Sequence, residues 1–196
     1  MQIESSTDTE RSLAVELVLE DIPGGGGVST YDFPSATTEM EEGALLGVDS
    51  DGIYHLTKTA KLVNALTATS PNHIVVHNNH EFVAGDYLTN STHTASGVLI
   101  ASITASGTGA DVIVYATGAS GMCVAIAASG IVVAASGLGQ SPLKYTPKAI
   151  ATNTVSLAAS GNNGCGLLVR GRVNESLLPY AVDTTIKALL PLIRFV

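Results

Sequence analysis

The sequence predicts a mainly β protein made of short-strand barrel or sandwich units, with an extended N-terminal arm and a small C-terminal strand–helix–strand element. Two observations predict this class. Short runs of β-branched and other apolar residues recur along the chain, and Ser-Gly or Asp-Gly steps separate them. The chain also has 20 glycines in 196 residues, and glycine supplies turn conformations that other residues avoid. Many short strands are therefore favoured over a few long helices.

Charge is scarce and unevenly distributed. Charged residues make up 13% of the chain, against about 25% in a typical domain. Residues 1–52 hold twelve acidic residues and one basic residue, whereas residues 53–196 hold five acidic and eight basic ones. This asymmetry indicates that the two parts face different neighbours. No basic stripe is present that could neutralise phosphates, so nucleic acid is not an expected partner.

Composition divides the chain into three predicted domains. Residues 1–40 form an acidic extended arm with a glycine linker at 24–27, residues 41–94 form a small β domain, and residues 95–196 form an Ala/Ser/Gly-rich β domain that ends in a docking element. A solvated, partly mobile N-terminus is the alternative interpretation of the arm.

Three apolar residues of the arm occupy every second position of a short segment. Val15, Leu17 and Leu19 have the spacing of a strand, and such a segment can add a strand to the edge of a partner's sheet. We therefore predict that these residues lie at a contact with another subunit or with a larger shell.

A turn is the favoured interpretation of the DSDG sequence at residues 49–52, between two apolar runs. Asp49 and Asp51 match part of a calcium-binding loop, but the downstream glutamate and the remaining acidic ligands are absent. An Asp-Gly hairpin turn explains the segment better.

Four of the five histidines lie between residues 73 and 93. His73 and His77 are four residues apart, which suits one metal ion on a helix, but the β-branched residues between them predict a strand on which the two rings lie too far apart. We expect the strand to be followed by a turn in which Phe82 fills the core, Gly85 adopts the turn conformation and Asp86 caps it. No catalytic residue, cofactor site or metal site is predicted, and a metal-dependent enzyme that uses these histidines is the least favoured function.

The segment at residues 121–139 carries no charge and is long enough to cross a membrane by hydropathy alone. It contains Ala-Ser-Gly triplets between short β-branched runs, and no lysine or arginine flanks it before Lys144. We therefore predict strands covered by protein neighbours and no membrane span. Residues 87–143 carry a single charged residue, Asp111, so a homo-oligomer is expected, with a trimer before a dimer.

The two cysteines, Cys123 and Cys165, are isolated and match neither a zinc site nor a disulfide framework. The N-terminal residues are acidic and lack the order of a signal peptide. Free thiols in a reducing cytoplasm are expected.

The C-terminal region predicts a compact strand–helix–strand element. Residues 164–179 alternate, Asp183 or Thr184 can cap a short helix, Pro191 stops it, and residues 192–196 form a last strand. Four residues of this element are candidate contacts: Arg170, Arg172 and Arg194, which could meet acidic neighbours, and Phe195, whose apolar surface would be wasted in solvent. Exposed arginines on an edge strand would give the same pattern.

A resemblance to a known family rests on three segments in this order: GALLGVDSDGIYHLTKTAKLVNALTA, HIVVHNNHEFVAGDYLT, and RGRVNESLLP with IKALLPLIRFV. Over residues 40–94 and 164–196 the chain resembles the head-associated auxiliary proteins of tailed bacteriophages, the capsid decoration and head-fibre proteins, especially those of crAss-like gut phages.

The resemblance implies a non-enzymatic, oligomeric protein of the virion. Such a protein is made in the host bacterial cytoplasm, binds the major capsid protein and other head proteins on the capsid exterior, and clamps capsomers or anchors a fibre. The alternative is a fibre-type adhesin or carbohydrate-binding module, which would need exposed aromatic side chains. The chain has six Tyr, three Phe and no Trp, and this favours the structural role.

Overall fold

The computed structural model of the protein describes residues 13–67, 72–92, 94–105, 109–116, 125–140, 142–157 and 161–196. Within these ranges the chain is mainly β, as the sequence predicts, with one short α-helix. The strands are β1 (Val15–Asp21), β2 (Gly26–Ser29), β3 (Glu39–Met40), β4 (Leu45–Val48), β5 (Tyr54–Leu56), β6 (Thr59–Lys61), β7 (His73–His77), β8 (Tyr87–Asn90), β9 (Val98–Ala105), β10 (Ala110–Tyr115), β11 (Ile131–Ala135), β12 (Pro147–Ala151), β13 (Val155–Ser156), β14 (Asn162–Cys165), β15 (Leu167–Val173) and β16 (Ile193–Phe195). The helix is α1 (Thr184–Ala188).

Two large sheets organise these strands. The first has the order β1–β15–β12–β4–β5–β2–β14, with β16 beside β15, and the second has the order β6–β11–β8–β9–β10–β7. Pairing is antiparallel except for β2 with β5 and β15 with β16, which are parallel. The strands β3 and β13 form a separate small ribbon.

Strand pairing does not follow the three ranges into which composition divides the chain. The first sheet takes strands from all three ranges, and the second takes strands from the latter two. Residues 15–21, which the sequence assigns to an extended arm, are paired with β15 of the same chain. Two of the four glycines assigned to the linker, Gly26 and Gly27, belong to β2. Gly26 is required there, because a Cβ atom would lie 2.7 Å from the ring of Tyr54.

The strand β11 explains why residues 121–139 resemble a membrane span. All five of its residues are buried. Val132 and Ala134 pack in the core of the second sheet, whereas Ile131 and Val133 join a cluster that includes Leu45 of the first sheet. A strand that is covered on both faces reads as a continuous apolar run. Residues 121–124 of the segment lie outside the described residues. In the described part of the chain, no helix has the length and apolarity that crossing a membrane requires.

The turn predicted after β7 is confirmed. Phe82 is buried in the core. Gly85 has a φ of +98°, a conformation that favours glycine. Asp86 accepts a hydrogen bond from the backbone N–H of Val83 at 3.0 Å through Oδ2.

The hairpin predicted around DSDG is also confirmed, since β4 and β5 are antiparallel neighbours. Asp49 closes the turn by accepting hydrogen bonds at Oδ1 from the backbone N–H groups of Asp51 and Ile53, each at 2.9 Å.

The chain passes from the first sheet to the second through three buried polar residues, Thr57, Lys58 and Thr59, which are at most 3% exposed. We call Thr57–Lys58–Thr59 the buried crossing. The Nζ of Lys58 donates to Oδ2 of Asp86 at 2.8 Å, so the crossing is fastened to the turn that follows β7.

The predicted strand–helix–strand ending is confirmed and is held on the first sheet. Asp183 is the N-cap of α1 and accepts from the backbone N–H of Ile186 at 2.9 Å. Ile186 and Ile193 are buried in the cluster that joins the two sheets. The backbone N–H of Val196 donates to the carbonyl oxygen of Val173 at 3.0 Å, so this ending packs on the body of the protein.

Candidate interaction surface

The fold brings all seven predicted contact residues to one end of the first sheet. Strands β1, β15 and β16 lie side by side there, and their registers align the residues in rows. One row contains Leu17, Arg172 and Arg194. The neighbouring row contains Val15, Val173 and Phe195. Residues that are paired across strands share a face of the sheet, so the two adjacent rows face in opposite directions.

The two faces differ in burial. The row of Val15 and Val173 faces the core, where Val15 is 8% exposed and Val173 is fully buried. Phe195 of this row is half-buried, and the Nζ of Lys187 lies 5.6 Å from the centre of its ring. Val15 and Phe195 are therefore engaged within the chain.

The opposite face is exposed. Arg170, Arg172 and Arg194 are exposed on β15 and β16, and Leu17 and Leu19 of β1 are 44% and 61% exposed. We call these five residues the edge surface. It combines apolar side chains with cations, which suits contact with an acidic and partly apolar partner.

Only one arginine of the edge surface has a carboxylate partner among the described residues. The Nε of Arg172 lies 2.7 Å from Oε2 of Glu16. Arg170 is opposite Glu20 in the register of β1 and β15, yet no ion pair joins them within the described ranges. Arg194 lies beside Arg172 and has no carboxylate within 4.0 Å in the same ranges. Two exposed guanidinium groups are thus free to bind a partner.

Sequence reasoning missed Val18, which is 45% exposed. It pairs with Gly171, and because glycine has no side chain, Val18 has little cover from its neighbour on β15. The signal was present in the sequence as three consecutive apolar residues, Leu17–Val18–Leu19, since a strand with one face on a core alternates instead.

A cleft lies on another part of the molecule, between the loop before β3, the loop after β7 and the segment that follows β15. It has a volume of about 490 Å³. Its central carboxylate is Glu81, which accepts hydrogen bonds from Thr37 Oγ1 at 3.0 Å and from Tyr180 Oη at 3.4 Å. Burial raises the pKa of Glu81 above its usual value, and these hydrogen bonds oppose the shift. The polar lining also includes Asn78, Asn79, Glu39 and Glu41.

The histidines occupy separate environments. His73 and His77 are exposed at the two ends of β7, whereas the side chain of His80 is 4% exposed, with Nε2 3.3 Å from Oδ2 of Asp111. Burial lowers the pKa of His80, and the nearby Asp111 carboxylate opposes that shift. His93 lies outside the described residues.

His55 bridges two carboxylates in the first sheet. Its Nδ1 lies 2.8 Å from Asp32 Oδ2 and its Nε2 lies 3.0 Å from Asp49 Oδ2. Its ring stacks on Tyr145 with the centres 4.1 Å apart. The hydrogen bond with His55 lowers the pKa of Asp49. This arrangement fixes the DSDG hairpin against the short turn that contains Asp32.

The described residues offer neither a metal site nor a reactive thiol. Across the described ranges, no three His, Cys, Asp or Glu side chains converge so that they could hold a metal ion. Cys165 is a buried free thiol, and burial raises its pKa to about 11, so it is protonated at neutral pH. Cys123 lies outside the described residues.

Comparisons with models of protein families, with curated proteins and with solved structures gave no match to this chain.

Proposed function

We propose that the chain is a structural protein of a tailed-phage virion that attaches to the outer surface of the capsid, as a decoration protein or as the anchor of a head fibre. The observation that carries the proposal is the edge surface: five exposed residues on three paired strands, two of them leucines and three of them arginines. The sequence resemblance to phage head-associated proteins supports the identity of the partner, the major capsid protein together with other head proteins.

The physical argument is that the edge surface has little use in an isolated monomer. The exposed Leu17 and Leu19 leave apolar area in water, and Arg172 and Arg194 are like charges placed side by side. Contact with an acidic, partly apolar surface would cover the apolar area and would offset the repulsion between the two guanidinium groups. In this proposal the protein is made in the host bacterial cytoplasm, forms homo-oligomers and acts without catalysis on the capsid exterior.

Two charge-reversal variants test the attachment. Arg170→Glu/Arg194→Glu reverses the two arginines that lack a carboxylate partner in the described ranges. Lys61→Glu/Lys148→Glu is the matched control, since it makes the same change in net charge at two other exposed cations. Each protein is mixed with purified heads that lack it, and binding is measured by co-sedimentation at several salt concentrations.

We expect the arginine variant to bind heads at least about tenfold more weakly than wild type and to lose most of its salt dependence, while the lysine variant binds normally. Equal binding by both variants would remove the edge surface from the proposal. Absence of wild-type binding to any head preparation would remove the virion role itself.

A second candidate function is carbohydrate binding by a fibre-type adhesin, and the cleft around Glu81 is the observation that favours it. Carboxylate, amide and hydroxyl groups converge there in a volume of about 490 Å³, a size and chemistry that fit a saccharide. A glycan array probed with wild type and with Asn79→Ala tests this function. Binding to a glycan that Asn79→Ala weakens supports it, and no binding to any glycan rejects it.

A further inference from the structure

We propose that two copies of this chain pair through β1, antiparallel and around a twofold axis at Val18, so that the first sheet runs continuously through both. The pairing specifies the homo-oligomer of the proposed function, but it rests on the free edge of β1 and not on attachment to a capsid, so the dimer and the attachment are tested separately.

The first observation is the position of β1. It is the last strand in the order of the first sheet, and among the described residues it pairs on one side only, with β15. Six of its seven residues are exposed. On this edge the backbone N–H of Val15 donates to Oε1 of Glu42 at 2.8 Å, whereas residues 16–20 have no strand beside them in the described part of the chain. A strand edge with unpaired backbone groups and exposed apolar side chains is a template for another strand.

The second observation is the sequence of β1. Residues 16–20 read Glu-Leu-Val-Leu-Glu, which is the same in both directions. A twofold interface brings one surface patch against a copy of itself, so the patch must be self-complementary. An antiparallel pair centred on Val18 places Val18 against Val18 and each Leu17 against Leu19 of the other copy. In this register all three exposed apolar side chains of β1 gain an apolar neighbour.

Charge is balanced in the same register. Each Glu16 meets Glu20 of the other copy, which alone would be repulsive. Glu16 is already paired with Arg172 at 2.7 Å, and Glu20 is opposite Arg170. Each Glu16–Glu20 pair across the twofold axis therefore lies near Arg172 of one copy and Arg170 of the other, which offsets the repulsion between the two carboxylates. Register shifts in the pairing with β15 fall between Val15 and Leu17, between Val18 and Glu20, and between Glu20 and Asp21, and such shifts increase the twist of a strand. Because the second strand is an identical copy, it has the same twist.

The pairing also determines how the edge surface is presented. The twofold axis of an antiparallel strand pair is perpendicular to the sheet, so the same face of both copies points in one direction. Two edge surfaces then form one continuous surface, with four leucines in the middle and three arginines on each side. This geometry favours a dimer over the trimer that composition predicts.

The test uses the residue on the axis, because only that residue faces its own copy. Val18→Lys and Val18→Glu are purified separately and also mixed in equal amounts, and masses are measured by sedimentation velocity and light scattering. Leu138→Lys and Leu138→Glu are the control, since Leu138 is 63% exposed and lies outside β1. Thermal unfolding checks that each variant is folded.

We expect wild type and both Leu138 variants to be dimers. Each Val18 variant alone should dimerise at least about tenfold more weakly, and the mixture should recover the dimer because lysine then faces glutamate. A wild-type monomer or trimer would overturn the proposal, as would dimerisation of the separate Val18 variants at wild-type strength. Failure of the mixture to recover would overturn the register centred on Val18.

Discussion

Among the ion pairs of the described residues, Lys58–Asp86 and Arg172–Glu16 have nearly equal lengths but lie in opposite environments. Lys58 and Asp86 are 2.8 Å apart and are 3% and 9% exposed, whereas Arg172 and Glu16 are 2.7 Å apart and are 48% and 28% exposed. From distance alone, the two ion pairs would be expected to contribute equally to stability. Burial separates them, because an unpaired charge is costly inside the protein and inexpensive in water.

The neighbours of each pair extend the contrast. Around Lys58, Thr57 Oγ1 donates to the carbonyl of Tyr145 at 3.0 Å and Thr59 Oγ1 donates to the carbonyl of Ala181 at 2.7 Å. The buried crossing is thus satisfied within the chain. Near Arg172, the outer edge of β1 has no strand beside it in the part of the chain that the structure describes. The first region therefore maintains the fold, and the second is available to a partner.

The largest expected effect comes from Asp86→Ala. This change leaves Lys58 buried without its carboxylate and also removes the acceptor for the backbone N–H of Val83. We expect the free energy of unfolding to fall by about 3–5 kcal/mol, as measured by urea denaturation.

The paired substitution Lys58→Met/Asp86→Leu is the control for that experiment. It removes both charges and keeps apolar volume, so we expect it to regain much of the lost stability. A loss below about 1 kcal/mol for Asp86→Ala would show that the buried pair does not hold the crossing in place.

Glu81 lies between the two extremes, since it is half-buried and its pKa is raised mainly by burial. A carboxylate whose pKa is higher in the folded state contributes most stability below its unfolded pKa, and that contribution is lost as the pH rises through the folded pKa. We therefore expect Glu81→Gln to be more stable than wild type at pH 7 and equal to it below about pH 4. Thermal unfolding at both pH values measures the difference. Lower stability of the variant at both pH values would mean that the hydrogen bonds of the carboxylate outweigh its burial.

The smallest effect is expected for Arg172→Gln. Because the ion pair with Glu16 is exposed, its loss should change the free energy of unfolding by no more than about 1 kcal/mol, as measured by urea denaturation beside Asp86→Ala. A loss as large as that of Asp86→Ala would erase the distinction between the two regions.

Local signals in the sequence were sufficient for several parts of the fold. The turn that ends in Gly85 and Asp86 and the helix cap at Asp183 depend on residues within a few positions of one another. The turn and the cap can therefore be predicted from a few consecutive residues. The apolar runs likewise predicted short strands, and β9, β10 and β11 are formed by such runs.

Pairing between distant segments could not be predicted from local sequence. Lys58 reads as a solvent-exposed residue between two threonines, and only the position of Asp86, 28 residues later, explains its burial. The parallel pairing of β16 with β15 and the pairing of β1 with β15 join distant segments. The candidate contacts were found by composition and alternation, but the division into an outward row with Arg172 and an inward row with Val173 required the register.

Amide hydrogen exchange at two protein concentrations follows β1 and the buried crossing in one experiment. In this structure β1 has an edge that a second copy can pair with, whereas the hydrogen bonds of the crossing are made within the chain. We expect a higher protein concentration to slow exchange in residues 15–21 and to leave exchange in residues 57–59 unchanged. Exchange in residues 15–21 that is equally slow at both concentrations, or a concentration dependence at the crossing, would contradict this expectation.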